Sequence, residues 1–177
     1  MNVVFISPHF PLYFHNFCSR LKQRNVNVLG IIDTDYQNIS QETKNSLTDC
    51  YCVNSLDNYD EVYRAVAYFI SKYGRIDFIE SQNEYWLETE AKLRDDFNIL
   101  HGTRFNDLSW MKYKSKMKQV FLKAGVNVAR YCLVNSFEEV MAFIENVGYP
   151  VVVKPDNGVG ASSTYKLNNY QDLEYFF

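Results

Sequence analysis

The sequence predicts an α/β protein in two parts. A parallel sheet with helices on its faces occupies residues 1–102, and a small α+β part with antiparallel strands occupies 103–177. Three observations carry this prediction. Short apolar runs rich in β-branched residues alternate with longer segments of helical period from the first residues onward. Capping residues and glycines fall where those segments must begin and stop. Near residue 102 the alternation gives way to a lysine-rich helix, and later to two apolar runs joined by a glycine-rich stretch.

Taken in order, "NVVFIS" (2–7) reads as the first strand, and 13–25 as a helix with Phe14, Phe17, Cys18 and Leu21 on one face. "VNVLGIID" (26–33) and "CYCV" (50–53) are the next strands. A helix from about Asp60 to Tyr73 places Val62, Ala65, Val66, Phe69 and Ile70 at helical spacing, with Asn58 and Glu61 as its capping pair. "IDFIE" (76–80) is a fourth strand, and 84–97 another helix. Strands that alternate with helices imply parallel pairing. "HGTRFNDLSW" reads as a connector. The helix 112–125 then turns Met117, Val120, Phe121 and Ala124 inward and stops at Gly125. "VNVARYCLV" (126–134) reads as a strand, and Ser136 with Glu139 caps a helix over 137–147 that ends at Gly148. Strands at 151–154 and 163–167 and the start of one more helix complete the chain. A helix that has just begun and ends on Tyr175-Phe176-Phe177 leads us to expect a longer parent protein.

Composition narrows the classes. Over 177 residues, 47% hydrophobic and 22% charged side chains suit a globular protein with a real core. A net charge of −3 gives no general attraction to nucleic acid or an anionic membrane. No apolar run approaches the roughly 20 residues of a membrane span, and "MNVVFISPHF" lacks a basic leader. Cys18, Cys50, Cys52 and Cys132 have no metal-ligand spacing and read as reduced thiols, which points to the cytoplasm.

A parallel-sheet start invites a dinucleotide reading, but the turn after the first strand is "SPHFPLY", with two prolines and no glycine to let a pyrophosphate approach. The carboxyl ends of the strands, Ser7 to Phe10 with Glu80 to Glu84, remain able to line a small-molecule site. His9 and His15 read as surface or cap residues, and Glu84, Glu88 and Glu90 as a solvated helix face. The stretch "KPDNGVGASST" admits two readings. Asn157-Gly158 is a strong hairpin signal, because a two-residue type I′ turn needs positive φ at both positions. Against this, small residues continue through Gly160-Ala161-Ser162-Ser163, and such a run brings backbone N–H groups close to an anion. Lys154 ends an apolar strand, so its ammonium must reach water or meet an anion.

The segments "KSKMKQVFLKAGV" and "GYPVVVKPDNGVGAS" together resemble the ATP-grasp family of carboxylate–amine ligases. By that resemblance residues 1–102 are a Rossmann-like pre-ATP-grasp domain, with "ESQNEYWLETEAKLRDDFNILHG" similar to its last strand and helix. Residues 103–177 are then an incomplete first ATP-grasp subdomain. The resemblance implies ATP and Mg2+ as cofactors, with Lys114 and Lys154 as phosphate-contacting lysines. It makes the loop of Asn157, Gly158, Gly160, Ala161, Ser162 and Ser163 a lid over the triphosphate, poorly ordered without nucleotide. Tyr113 departs from the family, which usually has Asp there. The resemblance places the adenine-binding hinge and the magnesium ligands outside these residues, so no catalytic residue and no metal ligand is expected within them. The implied parent is carbamoyl-phosphate-synthase-like or an amino-acid ligase, acting on small carboxylate and amine substrates. A homodimer is compatible with it, with no nucleic-acid or membrane partner. The alternative is a non-catalytic α/β module that binds a small molecule or nucleotide.

Overall fold

Four apolar runs of the first hundred residues pair side by side as β1 (Asn2–Ile6), β2 (Asn27–Ile32), β3 (Asp49–Cys52) and β4 (Phe78–Glu80). Every pairing is parallel, and the order is β3-β2-β1-β4. The computed structural model describes residues 1–158 and 163–177. The chain divides into two units, Met1–Leu108 and Ser109–Phe177.

In the first unit the sheet is covered on both faces, which explains why its strands are continuously apolar rather than alternating. On one face Val4, Ile6, Leu29 and Ile31 pack against Val62, Ala65, Val66 and Phe69 of α3 (Tyr59–Tyr73) and Leu93 of α4 (Leu87–Asp96). On the other, Val3, Phe5 and Val28 meet Phe14, Cys18 and Leu47. Cys18 lies on α1 (His15–Lys22), which follows a short 3-10 turn at Leu12–Phe14. Phe17, expected on the inward face, is 44% exposed. Asn58 caps α3 by accepting from the Glu61 N–H, as its spacing predicts. Gly30 stands at a close approach. A Cβ there would lie 2.8 Å from Leu47 Cδ1 and 3.1 Å from Pro8 Cγ, so a side chain would force Leu47 to shift. The structure adds α2 (Gln41–Ser46), capped by Ser40. Its sequence "QETKNS" carries no apolar stripe, so periodicity could not announce it.

One expectation is overturned in this unit. Glu90 does not belong to a solvated face: it is only 2% exposed. Its Oε2 accepts from Arg94 Nη2 at 2.9 Å, one helical turn away, and the same guanidinium reaches Glu80 at 3.4 Å. Burial pushes the Glu90 carboxyl up to about 7, with Arg94 acting in the opposite direction. Arg94 Nη1 also donates to the Thr103 carbonyl, and a Cβ on Gly102 (φ +101°) would strike this guanidinium. An acid at the first turn of α4 and a base at its last are therefore brought inward as a pair that neither could enter alone.

The second unit is built from α6 (Lys114–Lys123), α7 (Phe137–Val147), β5 (Val151–Val153), β6 (Tyr165–Leu167) and α8 (Tyr170–Phe176). α5 (Phe105–Lys112) precedes α6 and spans the division between the units, where the sequence suggested a connector. β5 and β6 are antiparallel, with Val151 opposite Leu167 and Val153 opposite Tyr165. Val140, Ile144, Leu167 and Leu173 form the small core. Ser136 caps α7 through the Glu139 N–H, and Gly148 ends it at φ +77°.

Two further expectations fail here. Residues 126–134 form no strand, because the described ladder of this unit is limited to β5 and β6 and offers them no partner. The apolar side of α6 is also not inward: Val120 is 42% and Phe121 41% exposed, and Ala124 is exposed too. Met117 is half-buried.

Candidate functional site

The second unit places one lysine at each of two segments that lie 40 residues apart in sequence. Lys154 follows β5 directly, exposed, so its ammonium reaches water as its position at the end of an apolar strand requires. Lys114 begins α6, half-buried. The two meet through the loop that follows β5. Lys114 Nζ donates to the Gly158 carbonyl at 2.8 Å and to the Asp156 carbonyl at 3.5 Å, and the Lys114 N–H donates to that same Asp156 carbonyl at 3.0 Å.

A third lysine joins them. Lys118 lies one turn beyond Lys114 on α6, hence on the same face. Its Nζ sits over the Tyr131 ring, 4.6 Å from the centroid, and donates to the Ala129 carbonyl at 3.1 Å. Its pKa is lowered, first by burial and then by the charge of Lys154. The second cause is repulsion between the two like charges. Among the described residues neither forms an ion pair with a carboxylate. Uncompensated neighbouring cations favour an anion between them. The i,i+4 spacing of Lys114 and Lys118 was available in the sequence, but a basic stripe alone cannot be told from a solvated one.

Around the lysines, Asn157 is exposed and Gly158 half-buried. Neither has a positive φ, which removes the type I′ hairpin reading of Asn157-Gly158. Ser163, on the far side of the loop, does have one, at 52°. Gly160, Ala161 and Ser162 lie outside the described residues, and so does the expectation about their order. Tyr113, where the resemblance led us to expect Asp, provides no side-chain cap to α6. Among the described residues no three His, Cys, Asp or Glu side chains stand close enough to hold a metal ion.

The carboxyl edge of the first unit's sheet is a separate candidate. β1 and β4 are neighbours, with Phe5 opposite Glu80, so the loops that start at Ser7 and Ser81 emerge side by side. Ser7 (φ 57°) and Gln82 (φ 59°) both adopt the left-handed conformation there. His9 is not a simple surface residue: its Nε2 lies 3.2 Å from Asp33 Oδ1 at the end of β2, and burial lowers its pKa against the pull of Asp33. His15 is half-buried on α1. The cysteines are all free thiols. Burial raises Cys18 and Cys50 to about 12, so neither is a thiolate at neutral pH. No helix among the described residues is long and apolar enough to cross a membrane.

Comparison with known proteins fits this geometry. The family described as carbamoyl-phosphate synthase L chain, ATP binding domain, matches residues 113–175, the segment that carries the three lysines. The L-arginine-specific L-amino acid ligase of Bacillus subtilis is 34% identical over 115 residues, covering 63% of this chain and 28% of that protein. The chain thus spans less than a third of that relative. Among solved structures, the biotin carboxylase domain of Hydrogenobacter thermophilus 2-oxoglutarate carboxylase, a dimer in complex with MgADP, ADP and bicarbonate, superposes with a TM-score of 0.77 at 18% identity. It covers 98% of this chain and 39% of its own. The L-amino acid ligase of Bacillus licheniformis gives 0.65 at 19% identity, over 99% of this chain and 41% of its own. These structures establish a shared fold over nearly the whole chain. The chain thus shares its fold with these ligases, and its residues 113–175 match an ATP-binding sequence pattern, so that it is similar to the ATP-grasp ligases.

Proposed function

We propose that this chain supplies the phosphate-binding side of the ATP site of a ligase that joins a carboxylate to an amine through an acyl phosphate. In that reaction a carboxylate oxygen takes the terminal phosphoryl group of ATP and ADP leaves. The amine nitrogen then attacks the carbonyl carbon, and phosphate departs. Phosphoryl transfer asks the protein chiefly for positioned positive charge and N–H donors. The observation that carries the reading is the bonding of Lys114, at the start of α6, to the loop that follows Lys154, with no carboxylate paired to Lys114, Lys118 or Lys154 among the described residues.

In this reading Lys114 and Lys154 hold phosphate oxygens as point charges, and Lys118 adds to their field. Asn157, Gly158, Gly160, Ala161, Ser162 and Ser163 form the lid. The two parts of the chain take the roles of a pre-ATP-grasp domain (1–102) and an incomplete ATP-grasp subdomain (103–177). Following the resemblance, magnesium and adenine are assigned to residues outside 1–177, and the metal would supply further positive charge to the phosphates when bound. A cytoplasmic location and a homodimer belong to the proposal as well. The donor acid and acceptor amine are small molecules.

Binding of ATP to residues 1–177 and to the Lys114→Ala and Lys154→Ala variants tests the reading. Each loss of a charged hydrogen bond is expected to weaken binding by roughly 1.5–3 kcal/mol. The isolated chain is expected to release no ADP with any acid and amine pair. Unaltered affinity in both variants would overturn the phosphate assignment. Measurable ligation by the chain alone would overturn the division of the active site.

A further inference from the structure

α6 begins without its own cap. Its N-cap residue, Tyr113, makes no side-chain capping bond, and its first turn holds no acidic residue. The first N–H groups of a helix need acceptors from elsewhere. Here they come from Asp156, 41 residues further along the chain than Ser115. The Asp156 carbonyl accepts from the Lys114 N–H at 3.0 Å, Oδ1 accepts from the Ser115 N–H at 2.7 Å, and Oδ2 accepts from Ser115 Oγ at 2.6 Å. A carboxylate at a helix N-terminus is also favoured by the helix dipole.

Two features separate this arrangement from an ordinary cap. First, Asp156 stands two residues after Lys154 and its own carbonyl touches the Lys114 ammonium, yet its carboxylate forms no ion pair with Lys114, Lys118 or Lys154. Both oxygens are directed at Ser115 instead, which is buried. The carboxylate therefore bonds to the helix start rather than pairing directly with the lysines. Second, α6 gains little from apolar burial, because Val120, Phe121 and Leu122 are all exposed, and it is held by polar contacts, among them the Tyr131 hydroxyl, which donates to the Ser115 carbonyl at 3.2 Å. The bonds of Asp156 and Gly158 are the described polar links from the start of α6 to the loop.

We infer that Asp156 is a positioning residue. It locks the helix start that carries Lys114 to the loop base that carries Lys154, so that the two ammonium groups face one phosphate chain at a fixed separation. The inference rests on the phosphate reading of those lysines and adds to it a residue that touches no phosphate itself. Anion binding would replace the Gly158 carbonyl at Lys114 and leave the Asp156–Ser115 pair intact.

The experiment measures ATP affinity, with inorganic triphosphate as a second probe, for Asp156→Ala, Asp156→Asn, Ser115→Ala and the double variant Asp156→Ala/Ser115→Ala. Amide hydrogen exchange at Ser115 is followed in each. Asp156→Ala is expected to weaken both probes about tenfold and to speed exchange at the Ser115 amide. Asp156→Asn keeps an oxygen for the Ser115 N–H and is expected to recover most of the affinity. The double variant is expected to lose no more than Asp156→Ala, because the two side chains act as one unit. If Lys114→Ala and Lys154→Ala lose affinity while Asp156→Ala keeps it, the positioning role is wrong and the phosphate reading stands. If neither lysine variant changes affinity, the phosphate reading itself has failed. Should Asp156→Ala not fold, Asp156→Asn and Ser115→Ala decide: two-fold or smaller additive losses, without coupled change in Ser115 exchange, refute the lock.

Discussion

The two units bury their apolar residues to very different extents. In the first, Val4, Ile6, Leu29, Ile31 and Phe69 are fully enclosed between a four-stranded sheet and helices on both faces. In the second, the central residue of β5, Val152, is 58% exposed, and the apolar side of α6 faces outward. The same residue types thus serve as core in one unit and as surface in the other. A parallel sheet closes on itself through its crossover helices. A two-stranded ladder with one covering cluster leaves its other face open. What α6 lacks in apolar burial is replaced by polar bonds to the loop after β5, and the lysines sit at that joint.

Core truncation should break the comparison most strongly. Phe69→Ala is expected to cost about 3–5 kcal/mol in urea denaturation. Val152→Ala, on the open ladder, should stay within roughly 0.5 kcal/mol. Equal losses would mean that the open face is covered in solution.

Next comes the buried pair. The folded-state pKa of Glu90, about 7, lies above its ordinary 4.5, so the folded protein binds more protons than the unfolded chain between those values. The Glu90 contribution therefore falls as pH rises from about 4.5 through 7. Arg94→Met leaves the carboxylate unpaired and is expected to cost about 3–5 kcal/mol at pH 8. The cost should be clearly smaller at pH 5.5, where Glu90 holds its proton. Glu90→Gln should flatten the pH dependence. Urea midpoints at the two pH values check both.

A smaller loss separates local from tertiary capping. Ser136→Ala removes a cap that lies three residues from its donor, the Glu139 N–H, and should cost about 1 kcal/mol, read by thermal unfolding. It should leave nucleotide affinity unchanged, in contrast to Asp156→Ala.

The legible part of the fold was whatever repeats locally. The apolar period of α3, the Asn58 and Ser136 caps and the stop at Gly148 depend on neighbours within a few residues, and the four strands of the first unit announce themselves as short apolar runs between helices, so their pattern is written in the chain. α2 escaped because it is polar throughout, and α5 because its start has no strong cap signal. The strand expected at 126–134 failed for the opposite reason. Its pattern suits a strand, but a strand exists only when another edge pairs with it, and the described ladder provides none. At the candidate site, the spacing around Lys114 and the run after Lys154 were readable as parts, but their meeting was not.

By itself the sequence determined the α/β alternation, the helix caps, the absence of a dinucleotide glycine turn and the two lysine-bearing segments that resemble the ATP-grasp pattern. Each of these is set by side-chain period or backbone conformation over a few residues. Only the tertiary structure decided that Glu90 turns inward onto Arg94, that Lys118 shares a corner with Lys154, and that Asp156 reaches across 41 residues to cap α6 at Ser115. Those choices balance desolvation against partners brought together by folding, and no local pattern encodes a partner that distant.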